Sequence, residues 1–277
     1  MAINLNGDLP VAQLKTMITQ TTPSCQPELK PQPVINRIKQ GHHELHYSAA
    51  HSEETRQAGF RLIYESYLRV GLCHENPWKM RVTPYHLLDT TTMFVSSVNR
   101  QVVSTLSLIE DSANGLPMES VYLNAIRERR EQGIRIAEIS CLADRREKVV
   151  RFLDGFVQLT RLVAQYARHQ GVNQLLIVCH PKHAEFYRRF MAFDKIGGLT
   201  ECPHVCNQPA VALCLDFEKI DRVRPRSWDL FFADSISATE LQRPEMLPEE
   251  RHRLADMIDP RYREASLPEA DGVFATI

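Results

Sequence analysis

Apolar positions recur along this chain at two spacings, and the changes between them mark out its elements. Phe60, Ile63, Tyr64, Tyr67 and Leu68 fall at steps of three and four, which predicts a helix opening near Ser52, a residue type that caps helices through its hydroxyl. A short strand is expected just before it, around residues 44–47. Residues 71–89 read as loop, broken by Pro77 and Pro84. Residues 92–98 and 102–109 predict two strands, with Asn99-Arg100 as a tight turn between them. A further loop, residues 111–117, precedes a helix over 119–132 that Gly133 ends.

Residues 135–142 predict a strand. Phe152, Phe156, Leu159, Val163 and Tyr166 then give the apolar face of a long helix over 147–169, stopped at Gly171. Residues 174–179 predict another strand. Pro181 suits the first turn of the next helix, where its missing amide costs nothing. Residues 193–196 and 209–217 predict closing strands. Adjacent strands early and strand–helix–strand crossovers later argue for an α+β (α/β mixed) fold around a central mixed sheet.

The flanks differ from this core. Residues 1–40 read as an N-terminal extension punctuated by Pro23, Pro27, Pro31 and Pro33, with a short helix expected over 9–18. Residues 41–220 form the expected core domain. Residues 221–277 form a C-terminal extension, polar except for Trp228, Leu230, Phe231 and Phe232, which are expected to dock it onto the core.

Composition narrows the function classes. In 277 residues, 33 basic and 34 acidic side chains leave a net charge of -1, which gives no global attraction for nucleic acid or anionic membranes. No apolar run reaches the ~20 residues of a spanning helix, and the N-terminus lacks a secretory pattern. Seven cysteines is an odd number, and Cys141, Cys179 and Cys214 sit within apolar strand-like runs. Reduced, buried thiols in a cytoplasmic protein are expected.

Glu138 and Ser140 lie two apart on an expected strand and therefore share a face. A buried carboxylate is paired, protonated or useful. One reading pairs Glu138 with Arg135 or Arg81. The other makes Glu138 a base for an incoming amine, with Ser140 positioning a substrate carbonyl. Arg145 and Arg146 stand just before the long helix, where free amides and guanidinium groups favour phosphate; a solvated basic pair is the plainer reading. His183 and Tyr187 are four apart on the helix after Pro181, so Tyr187 could protonate a leaving thiolate or simply pack. The Cys202-Pro-His204-Val-Cys206 cluster lacks the spacing of common zinc patterns, and no metal is expected.

Arg81-Val-Thr-Pro-Tyr-His86, Ser104-Thr-Leu-Ser-Leu, Gly115-Leu-Pro-Met-Glu, Ala137-Glu-Ile-Ser-Cys-Leu-Ala and His180-Pro-Lys-His-Ala-Glu-Phe-Tyr together resemble the long-chain N-acyl amino acid synthases. These are GNAT-fold acyltransferases related to the acyl-homoserine lactone autoinducer synthases. The resemblance covers roughly residues 55–220. It implies a central mixed sheet with helices on both faces and a splayed strand pair gripping the pantetheine arm of an acyl donor. That donor would be an acyl-carrier protein, or CoA, acting as co-substrate with no permanently bound cofactor. An amino acid would be the acceptor. Glu138 and Ser140 match the strand that activates the amine and holds the carbonyl. Cys141, Leu142, Ala143, Arg145 and Arg146 would meet the donor arm, with backbone amides around Cys141 to Ala143 stabilising the oxyanion. Arg81, His86, His183 and Tyr187 would serve as acid or in positioning.

Departures sharpen the expectation. Cys141 and Ser107 stand where autoinducer synthases place arginines, which disfavours a lactone product. The run Asp144-Arg-Arg-Glu-Lys-Val-Val lacks the glycines that let a backbone cradle a pyrophosphate, which favours the single phosphodiester of a carrier-protein arm. An acetyl-CoA-dependent N-acetyltransferase and a non-catalytic acyl-binding or scaffold protein are the competing readings.

Overall fold

A computed structural model describes residues 38–40, 43–145, 149–259 and 262. The expected helix over 9–18, Arg146 and most of the N-terminal extension lie outside them. Among the described residues, strands β1 (Ile38–Gln40), β2 (His43–Ala49), β3 (Thr91–Val98), β4 (Gln101–Glu110), β5 (Ile136–Asp144), β6 (Gln174–Cys179), β7 (Asp194–Lys195) and β9 (Gln208–Asp216) form one sheet. Their order is β1-β2-β3-β4-β5-β6-β9-β7, and the short β8 (Thr200–Cys202) pairs with β9. Only β5 and β6 run parallel; the other neighbours are antiparallel. This is the mixed sheet the pattern predicts.

Helix α1 (Glu53–Arg69) starts as expected at Ser52, whose hydroxyl accepts from the Thr55 amide at 3.2 Å. It lies close on the sheet because Gly59 has no side chain: a Cβ there would stand 2.4 Å from Met93 Sδ. The β3–β4 turn puts both Asn99 and Arg100 at positive φ, 49° and 65°, the geometry of tight hairpins. Helices α2 (Glu119–Glu131), α3 (Val149–His169) and α4 (Pro181–Met191) follow at the expected places. The loop expected over 71–89 contains a short 3-10 turn at Pro84–Leu87, and β8 was not legible in the sequence.

The two faces of the sheet are covered differently. On one face, Phe94, Leu106, Leu108, Ala137 and Ile139 join α3 and α4 in one continuous core. On the other, two clusters form. One gathers α1 with Met93, Val95, Cys141 and Ala143; the other gathers Tyr85, Ile109, Met118, Tyr122, Ile136 and Leu176. Glu138 and Ser140 emerge between them.

The C-terminal segment does more than dock. Helix α5 (Phe217–Val223) and helix α6 (Trp228–Phe232) bring Phe231 into the continuous core, with Leu230 and Phe232 packed against it. The chain then runs on to α7 (Pro248–Ala255), locked to α1 by a buried ion pair in which Arg56 Nε donates to Glu250 Oε1 at 2.6 Å and Arg56 Nη2 to Glu250 Oε2. Beyond α7, Ile258 bridges to Val82 and the Asp259 amide donates to the Val82 carbonyl at 3.2 Å. No described helix is long and apolar enough to cross a membrane.

Candidate active site

The site is made where β5 and β6 part. They pair from Ile136↔Gln174 to Ile139↔Ile177 and no further, although β5 continues to Asp144 and β6 to Cys179. Past Ile139, β5 is held by β4 alone and β6 by β9 alone. At the same point β5 bulges against β4: Ser140 faces Ser107 and Ala143 faces Thr105, so three steps on β5 match two on β4. Cys141 takes φ 54° at the bulge. The extra residue turns Leu142 to the face of Ala137 and Ile139, and leaves Cys141 and Ala143 on the face of Glu138 and Ser140.

A cavity of about 470 Å³ opens at this parting. Glu138, Ser140 and Cys141 line it from β5, Val178 and Cys179 from β6, and His180, Lys182 and His183 from the start of α4. Tyr67, Arg81, Met118, Cys202, His204 and Tyr262 also contribute.

Glu138 is 4% exposed, and the Met118 amide at the start of α2 donates to its Oε2 at 2.8 Å. Burial pushes its pKa up to about 8, against the lowering effect of that amide. Among the described residues no ion pair neutralises it. The alternative pairing with Arg135 or Arg81 is therefore corrected: Arg135 donates to the Gln170 carbonyl at 2.7 Å, and Arg81 faces Asp259 at 3.7 Å. The Gly115-Leu-Pro-Met-Glu run acts here through its backbone. Gly115, at φ 70°, turns the loop so that the Leu116 amide donates to Glu119 at 2.7 Å and Met118 reaches Glu138.

Arg81 is buried, the one buried cation among the described lining residues; Arg69 and Lys182 are exposed. Its Nη2 donates to the His204 carbonyl at 2.5 Å and to the Tyr262 hydroxyl at 3.1 Å, while its Nε is buried without a partner among the described residues. The guanidinium carbon lies 4.9 Å from the Tyr67 ring centroid. His204 stacks on Tyr262, centroids 4.7 Å apart and planes 6° from parallel. Burial and the neighbouring Arg81 lower its pKa to about 4, so it is neutral at pH 7.

The other candidate residues separate. Ser140 lines the cavity, its hydroxyl directed at Cys141 Sγ at 3.7 Å. His183 lines it too, whereas Tyr187, one turn deeper on α4, does not. Tyr187 is 1% exposed and packs edge-on against Phe156, Phe186 and Phe193; burial raises its pKa well above the usual phenol value. Its hydroxyl is buried with the ring and does not open onto the cavity. The four-residue spacing puts its ring in the continuous core, with the buried hydroxyl near Cys179 and Tyr67 of the cavity lining. His86 is corrected as well. It accepts from the Thr83 amide at 3.0 Å, packs on Phe60 and does not line the cavity; burial lowers its pKa to about 3. Leu142 and Ala143 are core residues, and Arg145 lies at the surface, 2.9 Å from Glu65. In the sequence His204 stands only as part of the cysteine cluster, and no pattern points to Met118 or Tyr262. The Met118 contribution is a main-chain amide, which no side-chain pattern reports.

A mixed sheet with one parted strand pair, a buried carboxylate at the parting and a cavity beside it is a GNAT-like fold. The family model described as N-acyl amino acid synthase FeeM matches residues 58–216, and the chain belongs to that family. The solved structure of FeeM, an N-acyl amino acid synthase from uncultured soil microbes, is similar at TM-score 0.56 and 25% identity, over 64% of this chain and 93% of FeeM. The AHL synthase LasI gives 0.49 and 14%, over 71% and 98%. The CoA-dependent acyl-homoserine lactone synthase BjaI, with SAM and isopentyl-CoA, gives 0.49 and 17%, over 77% and 99%. No curated protein matches the chain in sequence. The protein is an acyltransferase.

Proposed function

We propose that the enzyme moves a long-chain acyl group from the pantetheine thioester of an acyl-carrier protein to the amino group of an amino acid by direct aminolysis. The observation that carries this reading is Glu138: a buried carboxyl, without an ion pair among the described residues, lining the cavity where β5 and β6 part. A carboxyl held near pH 8 is a base of the strength needed to take a proton from an ammonium group near neutral pH. The neutral amine attacks the thioester carbonyl, the carbon–sulfur bond breaks, and the thiolate leaves with the proton that the attacking nitrogen loses on becoming an amide. Cys141 and Leu142, opposite Leu106 at the bulge and outside the regular β4 ladder, offer main-chain amides to the oxyanion. Ser140 steadies the carbonyl.

The acceptor assignment is supported by Arg81, a buried cation on the same cavity whose Nε has no partner among the described residues, suited to an acceptor carboxylate. The donor assignment is supported by the glycine-free Asp144-Arg145-Arg146 run, which favours one phosphate over a pyrophosphate. The test supplies purified enzyme with acyl-carrier-protein thioesters or acyl-CoA and a panel of amino acids, and examines lipid extracts of an expressing host by mass spectrometry. New N-acyl amino acids formed faster from the carrier-protein donor are expected. Transfer of acetyl groups alone, or no product from either donor, would sink the proposal.

A further inference from the structure

We infer that the segment bearing Asp259 and Tyr262 is the acceptor-side wall of the cavity, and that Tyr262 is a specificity-determining residue for the acyl acceptor. This rests on the acyl-transfer reading above. The family match ends at residue 216, so Tyr262 belongs to a part of the chain that the match does not cover. It nonetheless lines the same cavity as Glu138, Ser140 and Arg81.

Three sets of contacts bring it there. Glu250 ties α7 to Arg56, and Leu254 is fully buried against the α1 cluster. The Ile258–Val82 bridge brings the chain beside Arg81, the residue before Val82. Arg81 meets both residues, Asp259 at 3.7 Å and the Tyr262 hydroxyl at 3.1 Å, while the Tyr262 amide donates to the Asp259 carbonyl at 2.9 Å. A ring bonded at its hydroxyl and stacked on His204 is fixed in two directions, as a wall must be.

The side of the cavity follows from packing. Tyr262 packs with the cluster that contains Met118, the amide donor to Glu138, and Leu176, the strand partner of Glu138. Ala143, on the proposed donor side, belongs to the other cluster. Tyr262 therefore borders the space where the amine meets its base. Its ring limits how large an acceptor side chain can be, and its hydroxyl holds Arg81 in place for the carboxylate.

The test compares wild type, Tyr262→Ala, Tyr262→Phe and Tyr262→Trp with amino acids of graded side-chain size. Tyr262→Ala is expected to raise the kcat/KM ratio of bulky over small acceptors by at least about tenfold, the low end of the scale set by one methylene of pocket space, with the donor KM unchanged. Tyr262→Trp is expected to lower that ratio, and Tyr262→Phe to keep it while raising the acceptor KM. An active wild type whose alanine and tryptophan variants keep its acceptor ratio, or change the donor KM instead, overturns the assignment of Tyr262 alone. A wild type that acylates no amino acid removes the underlying reading and this assignment with it. If Tyr262→Ala lowers the melting temperature too far to assay, the tryptophan variant decides.

Discussion

Ile139 and Ile177 are the last residues to pair across β5 and β6, and the separation of the strands begins at that pair. One residue earlier stands Glu138 and one later Ser140, so the base proposed for the amine and the hydroxyl proposed for the carbonyl flank the point of parting. The thioester arm needs the gap, and the amine needs the base beside it.

The rate should therefore follow the ionisation of Glu138. With its pKa near 8, kcat/KM is expected to rise with pH along a limb centred near that value. Glu138→Gln, which keeps the shape and the Met118 contact, should lower turnover by about 10²–10⁴-fold. A pH–rate profile of both proteins checks this; full activity in the glutamine variant would remove Glu138 from the role.

The same residue should reduce stability at alkaline pH. Its pKa is raised from 4.5 to about 8 on folding, so between those values the folded state holds a proton that the unfolded state has lost. Stability contributed by the protonated form is complete below pH 4.5 and is lost as pH rises through 8, by on the order of 1.4 kcal/mol per pH unit in between. Glu138→Gln should thus melt higher than wild type at pH 8.5, with the difference fading toward pH 5. Parallel melting curves across this range are the measurement.

Arg56 and Glu250 are both buried, and Arg56 also donates to the Ala50 carbonyl at 2.7 Å. Glu250→Ala leaves a buried guanidinium without its partner and should cost about 3–5 kcal/mol. Replacing both, as Arg56→Met with Glu250→Leu, should cost much less because no charge is stranded. Urea midpoints of the three proteins compare the two, and equal losses would show that packing of α7, not charge, holds it.

Arg145 is exposed at the end of β5 and shares its charge with Glu65. Reversing Arg145 and Arg146 to glutamate should weaken association with an acidic carrier protein. The effect should be larger at low salt than at high salt, because exposed charges act through the ionic atmosphere. Binding measured by titration at two ionic strengths tests it; salt-independent affinities would exclude these arginines from docking.

Much of this architecture is written locally. Ser52, the Asn99-Arg100 turn and Pro181 announce element boundaries by their own conformational preferences, and each stands at one. The two-residue period of a strand puts Glu138 and Ser140 on one face whatever surrounds them. His183 and Tyr187 mark where this stops: helical spacing aligned them, but only packing decided that one meets the cavity and the other the aromatic core. The bulge at Cys141 was equally hidden, because it depends on how β4 pairs and not on β5 alone.

By itself, the order of residues determined the strand that carries the carboxylate, the helices that cover it and the family motifs between them. The burial that raises Glu138, the Met118 amide that holds it and the arrival of Tyr262 beside Arg81 were decided by the tertiary structure. Arg81 and Tyr262 are 181 positions apart, and a contact across such a distance leaves no period in the sequence. It exists because the packed core brings the two places together.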